Sequence, residues 1–152
     1  MLFIPSLNPD GKQLGRRTNS NGVDINRNFP TKNWELTEKD NYFGGESPAS
    51  EIETKFLAEV IEEYKPRLIL TLHTPYKIVN YDGPAKEISE KISEIIGYPV
   101  EESIGYPTPG SFGTYAGVER NIPTITLEMD EEKAIDSLYP KVKKIFEYLE
   151  KV

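Results

Sequence analysis

Two polar side chains stand near the ends of apolar runs, and they are the first candidates for chemistry. His73 follows Leu68-Ile69-Leu70-Thr71-Leu72, and Glu128 lies within Ile125-Thr126-Leu127-Glu128-Met129. Open α/β sheets bind ligands outside the carboxyl ends of their strands, so both positions suit a site. An imidazole there serves as readily as a hydrogen-bonded structural group as it does as a ligand. A carboxylate flanked by Leu127 and Met129 must be paired, bind a metal, or have its pKa raised by desolvation. A raised carboxylate suits a general base that later returns its proton. Arg16, Arg17 and Arg27 lie in a polar segment without periodicity. A guanidinium can hold a carboxylate through two parallel hydrogen bonds, although a single arginine is more often a solvated surface residue. Asn26-Arg27-Asn28-Phe29-Pro30 crowds donors beside an aromatic–proline anchor, which favours a binding role.

The elements that must position these groups follow from the spacing of apolar residues. Leu2-Phe3-Ile4 is a short strand candidate stopped by Pro5, and Asn8-Pro9-Asp10-Gly11 is a turn signature. From there to about Gly45 no period is sustained, and structureless segments of that length are usually functional or disordered. Ser47 as N-cap and Pro48 as the first helical residue predict a helix with Ile52, Phe56, Leu57, Val60 and Ile61 on one stripe, ended by Pro66. Strands are predicted over Arg67–Leu72, Ile78–Tyr81 and Ile122–Met129, with a loop over Gly105–Gly113. Pro84–Ile96 reads as a helix turning Ile88, Ile92, Ile95 and Ile96 inward, with Gly97 at its end. The tail from Glu131 is helical, interrupted at Pro140, with Val142, Ile145, Phe146 and Leu149 on one face. Strands alternating with helices predict one α/β domain.

Composition narrows the function. The 152 residues carry 18 Lys and Arg against 25 Asp and Glu, a net charge of −7. An acidic chain without a basic cluster argues against a nucleic-acid partner. No run approaches the ~20 apolar residues of a bilayer span, and Met1–Pro5 lacks a signal peptide's features, so no membrane partner and a cytoplasmic location are expected. There is no cysteine and a single histidine. Thiol nucleophiles, disulfides and any zinc site with two or more His or Cys ligands are therefore outside the reach of this chain.

Asn8-Pro9-Asp10-Gly11, Arg16-Arg17-Thr18, Gly22-Val23-Asp24-Ile25-Asn26-Arg27-Asn28-Phe29, Leu72-His73 and Thr126-Leu127-Glu128 follow one another in the order and approximate spacing of the zinc carboxypeptidases. The chain resembles that family, with its carboxypeptidase A-like fold, over nearly its whole length. Gly105–Gly113, followed by Thr114 and by Gly117-Val118-Glu119-Arg120, is similar to a bacterial branch that includes murein peptide amidases. The resemblance implies that His73 is a zinc ligand, that Glu128 is the general base, and that Arg16 polarises the scissile carbonyl and stabilises the oxyanion. It further implies that Asn26 and Arg27 hold the substrate's terminal carboxylate and makes Tyr106 the candidate for the family's mobile tyrosine.

The resemblance also implies a deficit. The family's remaining zinc ligands come from a His-x-x-Glu motif upstream of the Asn-Pro-Asp-Gly turn, and here only seven residues precede Asn8. The chain thus holds a single expected protein ligand where a catalytic zinc takes about three. The expected fold is a three-layer α/β/α domain over residues 1–152 with a mostly parallel mixed sheet, zinc-exopeptidase-like but without the family's N-terminal strands. It would be the C-terminal portion of a catalytic domain, inactive alone. A small peptide is the expected substrate, and an exposed sheet edge makes self-association or complementation plausible. The rival reading is a pseudo-peptidase module that binds peptide carboxylates without hydrolysis.

Overall fold

Residues 1–152 are described by a computed structural model. Helix α1 (Pro9–Leu14) forms where only a turn is predicted: the Asn8 side chain accepts the Gly11 N–H, Pro9 opens the first turn, and Gly15 closes the last at φ 61°. A single 3₁₀ turn covers Ile25–Arg27, capped by the Asp24 carboxylate. Helix α2 (Ile52–Tyr64) starts five residues after the predicted N-cap, because Ala49 takes a left-handed φ of 53° and the Ser47 carbonyl is drawn into other hydrogen bonds. Its predicted stripe is only partly covered: Ile61 is buried, whereas Ile52 and Phe56 are exposed.

Strands β1 (Ile69–His73) and β2 (Ile78–Asp82), helix α3 (Lys86–Ile96), strands β3 (Val100–Glu101) and β4 (Thr124–Glu128), and helix α4 (Ile135–Leu149) follow. A π-helical turn at Thr114–Val118 precedes β4. Helix α4 runs through Pro140 without the predicted break; that proline lies on its exposed side, while Leu138 and Ile145 are buried. Met1–Pro5 joins no strand, and Met1, Leu2 and Phe3 are exposed, because no strand lies beside it to complete its hydrogen bonds. No helix is long and apolar enough to cross a membrane.

The sheet order is β1-β4-β2-β3, with β1 and β4 parallel, β4 and β2 antiparallel, and β2 and β3 parallel. Alternation divides the side chains of β4. Ile125 and Leu127 join Val79, Ile92, Ile96 and Ile145 in a core under α3 and α4. Thr124, Thr126 and Glu128 face the other way, where a second core of Ile25, Phe29, Ile61, Phe112, Tyr115 and Ala116 flanks a cavity. The fold is α/β with a mixed sheet, as expected.

Candidate active site

The long aperiodic segment is held by buried polar side chains. Asn28 is fully buried, and its amide donates to Gly44 O (2.7 Å), Ser47 O (3.1 Å) and Ser50 Oγ (3.0 Å), while its oxygen accepts the Glu51 N–H at 3.1 Å. Buried Asp24 accepts from Arg17 Nε at 2.6 Å and from the Asn26 N–H at 3.0 Å. Phe29 packs its ring 5.1 Å from Phe112 and 5.2 Å from Tyr115. Loop residues thereby gain the fixed geometry that a helix or strand would give them.

The sheet meets this loop at a cavity of about 380 Å³. Parallel pairing of β1 and β4 sets His73 beside Glu128, with Nδ1 and Oε1 4.0 Å apart. Glu128 is buried and its Oε2 has no hydrogen-bond partner. Burial raises its pKa, with the Tyr76 backbone N–H and the Arg17 charge opposing. Burial lowers the pKa of His73, and Arg17 adds to that, so the imidazole is neutral at pH 7. Arg27 is buried and donates to the Asn26 carbonyl at 2.7 Å. Asn26 Oδ1 accepts the Phe112 N–H at 2.8 Å, which leaves the amide NH₂ of Asn26 free to donate. The guanidiniums of Arg17 and Arg27 lie 4.9 and 5.8 Å from the Tyr42 ring centre. The Tyr106 hydroxyl stands 3.4 Å from that of Tyr76.

Glu128, Asn26, Arg27, Tyr106 and His73 all line this cavity. Arg16 does not line it, and its neighbour Arg17 does. After the left-handed Gly15, the Arg16 N–H returns to Gly11 O and its guanidinium donates to the Asn19 carbonyl. Arg17 turns inward and is tied to Asp24. Two adjacent arginines gave no sequence signal for choosing; Asp24 as an ion-pair partner would have been one. Tyr42, Tyr76 and Asp82 also line the cavity and carried no motif. A broader depression of about 700 Å³ around Lys39, Asp40, Glu46 and Glu51 contains neither His73 nor Glu128.

The donor set decides whether a zinc ion fits. A neutral imidazole is a suitable ligand, and the Glu128 carboxylate lies near it, but no group of three His, Cys, Asp or Glu side chains converges anywhere in the chain. These residues alone do not form a zinc site.

Residues 1–152 match the zinc carboxypeptidase family from end to end. Murein peptide amidase A of Escherichia coli strain K12 is 37% identical over 134 residues, covering 80% of this chain and 54% of that protein. The protein of the same name from Vibrio campbellii is 34% identical over 139 residues, covering 83% and 55%. The chain thus spans about half the length of the curated relatives it matches. The crystal structure of murein-tripeptide amidase MpaA from Escherichia coli O157 superposes with a TM-score of 0.80 at 32% identity, covering 91% of this chain and 65% of that one. Carboxypeptidase A from Helicoverpa armigera shares the fold, with a TM-score of 0.69 at 21% identity over 86% of this chain and 42% of that one. The family pattern runs the length of the sequence and the fold agrees over 91% of it, and the chain belongs to the zinc carboxypeptidase family.

Proposed function

We propose that this cavity receives a small peptide by its terminal carboxylate and is built to hydrolyse the adjoining amide bond, the peptide coming from the cell wall as the names of its relatives suggest. One observation carries the reading: the buried Glu128 carboxyl, with its Oε2 unpartnered, shares a cavity with the free amide of Asn26 and the buried guanidinium of Arg27. Arg27 and Asn26 hold the carboxylate by charge-assisted hydrogen bonds. Glu128 accepts a proton from the attacking water as the C–O bond forms, then gives it to the departing amine as the C–N bond breaks. Arg17, clamped by Asp24, faces the negative charge that develops on the carbonyl oxygen. Tyr106 lines the same cavity beside Arg27 and adds a hydroxyl to the carboxylate end. Zinc, which the family implies, needs ligands from outside these 152 residues in addition to His73, so the chain alone is expected to show background hydrolysis.

Calorimetric titration of the chain with a short peptide and with its C-terminal amide tests the carboxylate cradle. The free acid is expected to bind and the amide to lose about tenfold or more. Equal affinities would refute the reading. The lone metal donor favours a second reading, binding without turnover. Cleavage of a murein tripeptide by the chain with added zinc, lost in Glu128→Gln, would exclude it.

A further inference from the structure

One carboxylate serves two arginines on the cavity wall. Asp24 binds Arg17 Nε at 2.6 Å, whereas buried Arg27 has no ion pair of its own and donates through Nη1 to the Asn26 carbonyl. Burial lowers the Arg27 pKa and the Arg17 charge adds to that, with the Asp24 charge opposing. A buried cation without a partner is unfavourable unless something beside it compensates the charge. A second carboxylate would do so, but it would occupy the N–H groups that a ligand's carboxylate must reach.

Tyr42 supplies the compensation in another form. Its ring centre lies 4.9 Å from Arg17 Cζ and 5.8 Å from Arg27 Cζ, both inside the ~6 Å reach of cation–π attraction. The ring attracts the charge through its quadrupole and brings no carboxylate oxygen to the guanidinium N–H groups. Local hydrogen bonds put it there. The Asp40 side chain accepts the Tyr42 N–H at 2.7 Å, and the next carbonyl, Phe43 O, accepts the Asp24 N–H at 2.8 Å. Asp24 therefore fixes Arg17 with its carboxylate and the Tyr42 segment with its backbone. Tyr42 lines the cavity and is 48% exposed, so core packing does not account for an aromatic residue at this position.

We propose that Tyr42 is a positioning residue for the carboxylate cradle: its ring holds the charged guanidiniums of Arg17 and Arg27 at the cavity wall and keeps their N–H groups available to a ligand's carboxylate. The proposal rests on the carboxylate-cradle reading above, and its test separates the two.

The probes are N-acetyl-glycyl-alanine and its C-terminal amide, titrated into the 152-residue chain and its variants. The parent chain is expected to prefer the acid. Tyr42→Leu is expected to weaken the acid about fivefold and leave the amide unchanged. Tyr42→Phe, which keeps the ring and loses the hydroxyl, is expected to retain the parent affinity for both. Arg27→Ala is expected to remove the acid preference, with Tyr42→Leu adding little in that background. In the ligand-free chain, the ring current of residue 42 is expected to displace the arginine Nε–H proton resonances in the parent and in Tyr42→Phe, and not in Tyr42→Leu. An acid preference that is lost in Arg27→Ala but survives Tyr42→Leu overturns the positioning role and leaves the cradle standing. Equal losses in Tyr42→Phe and Tyr42→Leu also overturn it, since the hydroxyl and not the ring would then be acting. A fall of acid and amide alike in Tyr42→Leu overturns it as a general loosening of the loop. Arginine resonances that do not respond to Tyr42→Leu overturn the ring contact itself. No difference between acid and amide in the parent chain removes the cradle reading and the positioning role with it.

Discussion

The two flanks of the cavity are secured to very different degrees. On the loop flank, Asn28 makes four hydrogen bonds in full burial, Asp24 holds both Arg17 and the Asn26 backbone, and Phe29 is wedged between two aromatic rings. On the strand flank, His73 has its nearest charged partner 4.0 Å away, and Glu128 keeps one oxygen without any partner. Strand β1 is the sheet's edge, and Leu72 on it is exposed. Side chains on the first flank are held in place by hydrogen bonds and packing within the chain itself. Residues on the second flank have the chemistry of ligand and base without the contacts that would complete them. On the proposed function, carboxylate recognition and metal binding are therefore separable in this chain.

The largest effect is expected at Asn28. Asn28→Ala leaves the carbonyls of Gly44 and Ser47, Ser50 Oγ and the Glu51 N–H without their partner in a buried site. A loss of about 3–5 kcal/mol is expected in urea unfolding, with the carboxylate cradle lost as well. A loss below ~1 kcal/mol would show that the loop flank is not held as described.

Next in size is the pH response at Asp82. Its folded pKa is raised from 3.8 to about 6, so the native state holds this proton more tightly than the unfolded chain. Stability from this group is full below the unfolded value and is lost as pH rises through about 6. Asp82→Asn should therefore gain on the parent chain by roughly 1–3 kcal/mol between pH 4 and pH 8. Parallel stability curves for the two proteins would mean that the carboxylate is solvated or already paired.

A smaller change of the same sign is expected at Glu128, where burial likewise raises the pKa and Arg17 opposes it. Above the ordinary carboxylate range the parent chain should lose stability with rising pH more steeply than Glu128→Gln does. A shallower slope in the parent would show that Glu128 is stabilised as a carboxylate, which would argue against its role as a base.

How much of this was visible in the sequence depends on what kind of force decides each element. β1, β2, β4 and α3 lie within two residues of their predicted spans at every boundary, because apolar runs bounded by Pro and Gly report burial directly. Helix α2 starts late because Asn28, 19 residues before Ser47 and 23 before Glu51, takes the Ser47 carbonyl and the Glu51 N–H. No local pattern encodes that competition. Ile52 and Phe56 satisfy a helical stripe and yet remain exposed, since spacing specifies a face and not what covers it. The motifs named Glu128, His73, Asn26 and Arg27, which the fold brings to one cavity, whereas which of Arg16 and Arg17 joins them there depends on the position of Asp24. Asp82 was hidden because Asp82-Gly83 reads as a turn, and its surroundings depend on Gly113 and Gly117 across the fold.

The smallest effect is expected at the metal position, and it is the sharpest check on the separation of the two flanks. A single imidazole, with one carboxylate near it, falls short of the three protein ligands typical of catalytic zinc. A ligand stabilises only in proportion to its affinity for the folded state, so excess zinc should move the melting midpoint by less than about 1 °C. His73→Ala should change neither that response nor unfolding stability by more than ~0.5 kcal/mol, because the ring makes no hydrogen bond within the chain that its loss would orphan. Carboxylate binding should persist in that variant, since Arg27 and Asn26 take their positions from Asp24 and Phe112. A stoichiometric, stabilising zinc that disappears with His73→Ala would mean that further donors reach the ion, from rearranged carboxylates or a second copy of the chain. The strand flank would then be complete in a way its geometry does not display, and recognition and metal binding would have to be treated as one site.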